Sequence, residues 1–128
     1  MASSSRTAAL KIAAYVFATI FTGFGINAFI RPDHALTLFE FSPPITPADR
    51  RMVDSLMYVY GARDVFMGVA IYAAAMAGSK RSLAVTLLAA SGVAFVDGAA
   101  CFAAHGQGHW NHWGYAPIVA AVGALLLK

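Results

Sequence analysis

The chain has 128 residues, of which 59% are hydrophobic and only 12% charged, and its mean hydropathy is +0.65. A soluble domain carries about 25% charged residues, so this composition speaks against a water-soluble fold and for a membrane protein. The net charge of +3 comes from nine scattered Lys and Arg that form no basic face, so no nucleic-acid partner is expected; one cysteine, Cys101, excludes an internal disulfide and a cysteine-based zinc site.

From Ala8 to Ile30 the sequence is apolar except for Lys11 and Asn27. About 20 residues at roughly 1.5 Å each cross a hydrocarbon core, so this is the first span, over 8–30. Arg6 and Lys11 ahead of an apolar run also fit a secretory signal peptide. The run, however, exceeds the roughly 7–15 residues of such a segment, and no clear small-x-small cleavage site follows, so a retained helix is expected. Residues 31–52 are the least apolar, with Pro32, Pro43, Pro44 and Pro47 among Asp33, Glu40 and Asp49. These prolines predict a structured loop without regular helix, in which Leu36–Phe41 forms an interfacial turn or strand-like piece.

Thr46-Pro47 is a helix start, with Thr46 as N-cap and Pro47 at the first helical position. The second helix is expected over 47–77, its membrane part over 53–77. The turn Gly78-Ser79-Lys80-Arg81-Ser82 is short, which makes the second and third helices antiparallel neighbours. The third span covers 83–104 and is interrupted by Asp97. After the His- and Trp-rich stretch His105–Trp113, a fourth span over 109–127 is long enough only if that stretch supplies its first turn, where Pro117 is tolerable. The expected fold is all-α: one integral-membrane four-helix bundle over 1–128, with antiparallel up-down topology.

Arg6, Lys11, Lys80, Arg81 and Lys128 fall at the N-terminus, second loop and C-terminus, which an even number of spans places on one side. The other side holds Arg31, Arg50 and Arg51 in the first loop, diluted by Asp33, Glu40 and Asp49, and no Lys or Arg in the third. Both termini are therefore expected in the cytoplasm, with Trp110, Trp113 and Tyr115 at the opposite interface. Nothing separates the endoplasmic reticulum from the plasma membrane.

Two mid-span positions carry the chemistry. Arg63 and Asp64 are adjacent on the second helix and point about 100° apart, so each is expected to need a partner elsewhere. Counted from the outer helix ends, Arg63 and Asp97 lie about 13 Å and 12 Å deep, which brings them to one level between antiparallel neighbours. A charge at the centre of a span costs roughly 2.5 to 3.5 kcal/mol, and three are too many to be incidental. One reading is a polar pocket open toward the first and third loops. The other is a salt bridge that only fixes helix pairing. Asp97, Cys101 and His105 share one face of the third helix; Tyr60, Asp64 and Met67 share one of the second.

Both sets make polar ladders for a proton or a ligand hydroxyl, although Cys101 by itself is better read as a small residue at a site of close helix approach. His105, His109 and His112 invite a metal, but Gly106 and Gly108 weaken helix continuity and Asp97 lies about 12 Å from His105 along the axis, so no metal site is expected. No nucleotide-binding, P-loop, nucleophile-elbow or zinc-protease motif is present, and no cofactor is expected.

Gly61-Ala-Arg63-Asp64 followed by Gly68, then Asp97-Gly98, His105-Gly106 and His112-Trp-Gly-Tyr115, resemble a family of small membrane proteins known as domain of unknown function 4267. The likeness runs from the first span to the C-terminus. It implies a compact four-helix membrane fold similar to DoxX-like proteins, with Arg63, Asp64 and Asp97 as family-marking residues. Similar fungal proteins look like members of natural-product biosynthetic clusters, which suits an enzyme of secondary metabolism acting on a lipophilic intermediate.

The reading that follows is a membrane-embedded acid-base enzyme, an isomerase, cyclase or hydratase, whose ligand is a lipophilic small molecule. Arg63, Asp64, Asp97 and His105 are the candidate catalytic residues; Asn27, Tyr60, Met67, Cys101, His109, His112 and Trp113 are the candidates for substrate binding. The partners expected are the lipid bilayer, that ligand and a second copy in a homo-oligomer. The alternatives are a non-catalytic scaffold or accessory subunit and, less readily for four short helices, a small transporter.

Overall fold

The computed structural model describes residues 2–128, and every regular element among them is a helix. In chain order these are α1 (Ala2–Ile30), α2 (Pro32–Thr37), α3 (Pro47–Ala77), α4 (Lys80–His105), α5 (Trp110–Trp113) and α6 (Ala116–Leu126). Local chemistry sets the boundaries. The Thr46 hydroxyl accepts from the Asp49 amide at 3.2 Å, and Pro47 in the first turn forfeits no helical hydrogen bond. Ser79 caps α4 through the Ser82 amide at 3.1 Å, so Gly78 and Ser79 suffice to reverse the chain between α3 and α4. Gly106 closes α4 in the left-handed region, φ +71°, with its N–H returned to the Phe102 carbonyl.

Two segments differ from expectation. Pro32 does not prevent helix but opens the six-residue α2, because a proline at the first position lacks only an N–H that would be unsatisfied anyway. Leu36–Phe41 is accordingly not strand-like: it is the end of α2 and a tight turn in which Glu40 takes φ +57°. The stretch 109–127 is not one helix. α5 is a single turn, the chain bends at Gly114 and Tyr115, and Pro117 in the first turn of α6 cannot donate back to the preceding turn. The eleven residues of α6 rise only about 17 Å, short of a hydrocarbon core of about 30 Å. Among the described residues two helices, α1 and α4, are by themselves long and apolar enough to cross a membrane.

α1 packs most extensively on α3, and α4 on α6. Glycines allow the first contact: a Cβ on Gly25 would lie 2.5 Å from the Gly61 carbonyl oxygen, and one on Gly68 would lie 2.7 Å from that of Ala18. Small residues at such crossings let helix backbones approach closely. Ala14, Ala18, Phe21, Ile71, Leu83, Leu87 and Val119 fill the core. The outward faces are apolar as well, with Ile12, Val59, Phe66 and Val96 each more than 60% exposed. Helices apolar on both faces suit lipid rather than water. At one end, Arg6, Lys80 and Lys128 line a common hollow of about 300 Å³, so the basic N-terminal, α3–α4 and C-terminal segments lie together. Contact between α3 and α4 is thinner, and the site occupies that gap.

Candidate functional site

Residues Val53, Leu56, Met57, Tyr60 and Arg63 recur at helical spacing along one face of α3, a descent of about 15 Å. Together with Asp97 and Ala100 of α4 and Leu36, Phe39, Phe41, Ser42 and Pro44 from the end of α2 and the chain beyond it, they line a cleft of about 490 Å³. That volume is in the range of small-molecule sites, which are typically apolar with a few convergent polar groups. Here the apolar wall is α3 and the 36–44 segment, and the polar groups are Tyr60, Arg63 and Asp97.

Arg63 and Asp97, expected at one depth, form a bidentate pair: Nη1 donates to Oδ1 at 2.9 Å and Nη2 to Oδ2 at 2.8 Å. The parallel fork geometry matches guanidinium to carboxylate and joins α3 to α4. Adjacency does not keep Arg63 from Asp64, contrary to the expectation from side-chain direction. Its long side chain bends back so that Nε and Nη2 lie 3.3 and 3.2 Å from Asp64 Oδ1. The Tyr60 ring covers the guanidinium at 4.6 Å, and the Tyr60 and Tyr115 phenols lie close enough to interact with Asp64. The side chains of Asp64 and Asp97 are 3% and 11% exposed, that of Arg63 36%. The carboxylates are thus sheltered while the cation faces open space, including a second, smaller groove of about 220 Å³ between α3 and α4.

The wall formed by Phe39 and Phe41 is pinned from the other side. The Phe39 ring meets Tyr60 edge-on at 5.0 Å and His112 at 4.9 Å, and its carbonyl is 3.1 Å from His105 Nε2. Phe41 stands edge-on to the His105 ring, and Asn111 Nδ2 donates to the Leu38 carbonyl at 3.1 Å. The connection between α4 and α6 thereby holds the segment after α2 against α3.

His105 is therefore a latch on the loop backbone and does not line the cleft; no hydrogen bond joins it to Asp97 or Cys101, so the ladder expected on α4 is not continuous. Cys101 is fully buried and lies beside Gly108 of the loop that follows α4. His109 sits among Phe102, Trp110 and Trp113, and Trp113 lies over Gly98 with Nε1 donating to the Phe95 carbonyl at 3.0 Å. His112 is buried behind Phe39 with neither ring nitrogen hydrogen-bonded, close to the Leu38 backbone. Met67 belongs to the core and borders the smaller groove, while among the described residues no hydrogen bond joins the half-buried Asn27 side chain to Arg63, Asp64 or Asp97. No three His, Cys, Asp or Glu side chains among the described residues converge as a metal site would require. Of the expected set, the structure brings together Arg63, Asp64, Asp97 and Tyr60.

Sequence reasoning missed the apolar half of the cleft. Leu36, Phe39 and Phe41 are spaced as on no single face, and nothing local shows that they fold against α3. The signal that was available is the cluster of four large apolar residues in Leu36–Phe41, interrupted only by Thr37 and Glu40, inside an otherwise polar, proline-rich loop.

A family model described as "Domain of unknown function (DUF4267)" matches residues 18–126, and the chain belongs to that family. No curated protein and no solved structure matches it.

Proposed function

We propose that this member of the DUF4267 family is an integral membrane protein that binds a lipophilic small molecule in the cleft between α3, α4 and the segment after α2, with acid-base chemistry such as isomerisation, cyclisation or hydration as its use. The carrying observation is that the Arg63–Asp97 pair is not sealed in a core but stands on the wall of an otherwise apolar cleft of about 490 Å³. A pair serving only to lock helices has no need of such an opening.

In this reading α1, α3, α4 and the α5–α6 segment form a four-helix transmembrane bundle, and both termini face the cytoplasm. The shared basic hollow of Arg6, Lys80 and Lys128 and the apolar outer faces support that arrangement. The cleft then opens near the opposite interface and laterally toward lipid. Asp97 exchanges a proton with the ligand, Arg63 positions the Asp97 carboxylate through its paired hydrogen bonds, and buried Asp64 keeps the guanidinium in place.

Organic extracts of the purified protein test the binding step. A small molecule near stoichiometric amounts in wild type, lost when Met57→Trp fills the cleft, is the expected result; extracts holding only bulk bilayer lipid refute it. Folded Arg63→Ala or Asp97→Asn proteins that convert that molecule at the wild-type rate refute the catalytic assignment.

The thin contact between α3 and α4 favours a second reading, a non-catalytic scaffold whose ion pair fixes helix packing. Full stability and function in Asp64→Asn/Arg63→Met/Asp97→Leu, which leaves no stranded charge, would select it.

A further inference from the structure

The charges at the deep end of the cleft restrict what its occupant carries there, an argument that rests on the cleft being a ligand site. We infer that the ligand is a lipophile with a neutral or cationic, hydrogen-bond-donating head, an amine or an alcohol, and not a carboxylate or phosphate. Among the described residues Arg63 is the only basic one on the cleft wall, and it already serves two carboxylates. With all three groups ionised the cluster carries one net negative charge; with one carboxylate protonated it is neutral. In neither state does it present the positive charge that would repay the desolvation of an anionic head.

The hydrogen-bond inventory points the same way. A guanidinium has five N–H donors. Four are used, by Nε to Asp64, Nη1 to Asp97 and Nη2 to both, which leaves one N–H on Nη1. A single residual donor cannot make the paired contact by which arginine binds carboxylate or phosphate. Acceptors are more plentiful. Each Asp97 oxygen takes one bond from Arg63 and retains a further lone pair, and Asp97, unlike Asp64, lines the cleft. A head that donates to Asp97 and accepts the remaining Nη1–H, as a hydroxyl does, satisfies both; an ammonium satisfies the carboxylate and neutralises the excess charge. The apolar body lies against Val53, Leu56 and Met57, along the roughly 15 Å descent of α3.

The test uses the full chain in phosphatidylcholine nanodiscs and three photo-crosslinking probes with the same diazirine-bearing alkyl chain and an amine, hydroxyl or carboxylate head. Labelled peptides are mapped by mass spectrometry, and labelling of the lipid-facing side of α1 around Ile12 and Val16 corrects for partition into the bilayer. The amine and alcohol probes are expected to label residues 36–44 and 53–60 saturably and at least about tenfold more than the carboxylate probe. Asp64→Asn/Asp97→Asn, which leaves Arg63 as the only charge, is expected to raise the carboxylate probe to the level of the amine or above. Equal or stronger cleft labelling by the carboxylate probe in wild type, a comparison that needs no variant, overturns the head-group assignment and leaves the cleft as a ligand site. Absence of saturable labelling above the α1 level with every probe overturns the cleft reading itself.

Discussion

Replacing Arg63 by Met keeps most of the side-chain volume and removes the cation, which strands Asp64 and Asp97 with side chains 3% and 11% exposed. Four hydrogen bonds vanish together, two to each carboxylate. Breaking a buried ion pair from one side costs roughly 3 to 5 kcal/mol because the remaining charge stays desolvated. The guanidinium is itself 36% exposed, so water entering by the cleft relieves part of that penalty. The lower end applies, about 3 kcal/mol, or roughly a hundredfold in the unfolding equilibrium. Reversible unfolding in mixed micelles, followed by helical circular dichroism, measures it. Removing the charges as well, in Asp64→Asn/Arg63→Met/Asp97→Leu, is expected to restore stability to within about 1 kcal/mol of wild type. A single Arg63→Met protein within about 0.5 kcal/mol of wild type would refute the reasoning, since only solvated surface sites tolerate charge removal so cheaply.

Gly25→Ala is expected to cost about 2 kcal/mol in the same assay, because its Cβ meets α3 backbone at 2.5 and 2.7 Å, whereas Gly23→Ala, with nothing within 4 Å, is neutral or slightly stabilising. His105→Ala removes the contact to the Phe39 carbonyl and the edge contact to Phe41, so amide hydrogen exchange over Leu38–Phe41 is expected to quicken by roughly tenfold while the core of α1 is unchanged. Cys101, fully buried, is expected to resist maleimide in native membranes and to react once the protein is unfolded in SDS; rapid native labelling would show the packing of α4 to be wrong.

The sequence by itself determined the elements whose causes are local. Composition and long apolar runs made the chain all-helical and lipid-compatible, Thr46-Pro47 and Ser79 set helix starts by satisfying free amides, and equal depth in antiparallel neighbours foretold that Arg63 would meet Asp97. Tertiary structure decided the rest, because it turns on which distant surfaces meet. Whether Arg63 also reaches Asp64 depends on a rotamer chosen by the surrounding packing, and whether His105 faces Asp97 or Phe39 depends on where the loop lies. Helical spacing records direction around one axis only. It carries no information about a loop 66 residues away in sequence, which is why Phe39, Phe41 and the latch that holds them emerged only once the chain was folded.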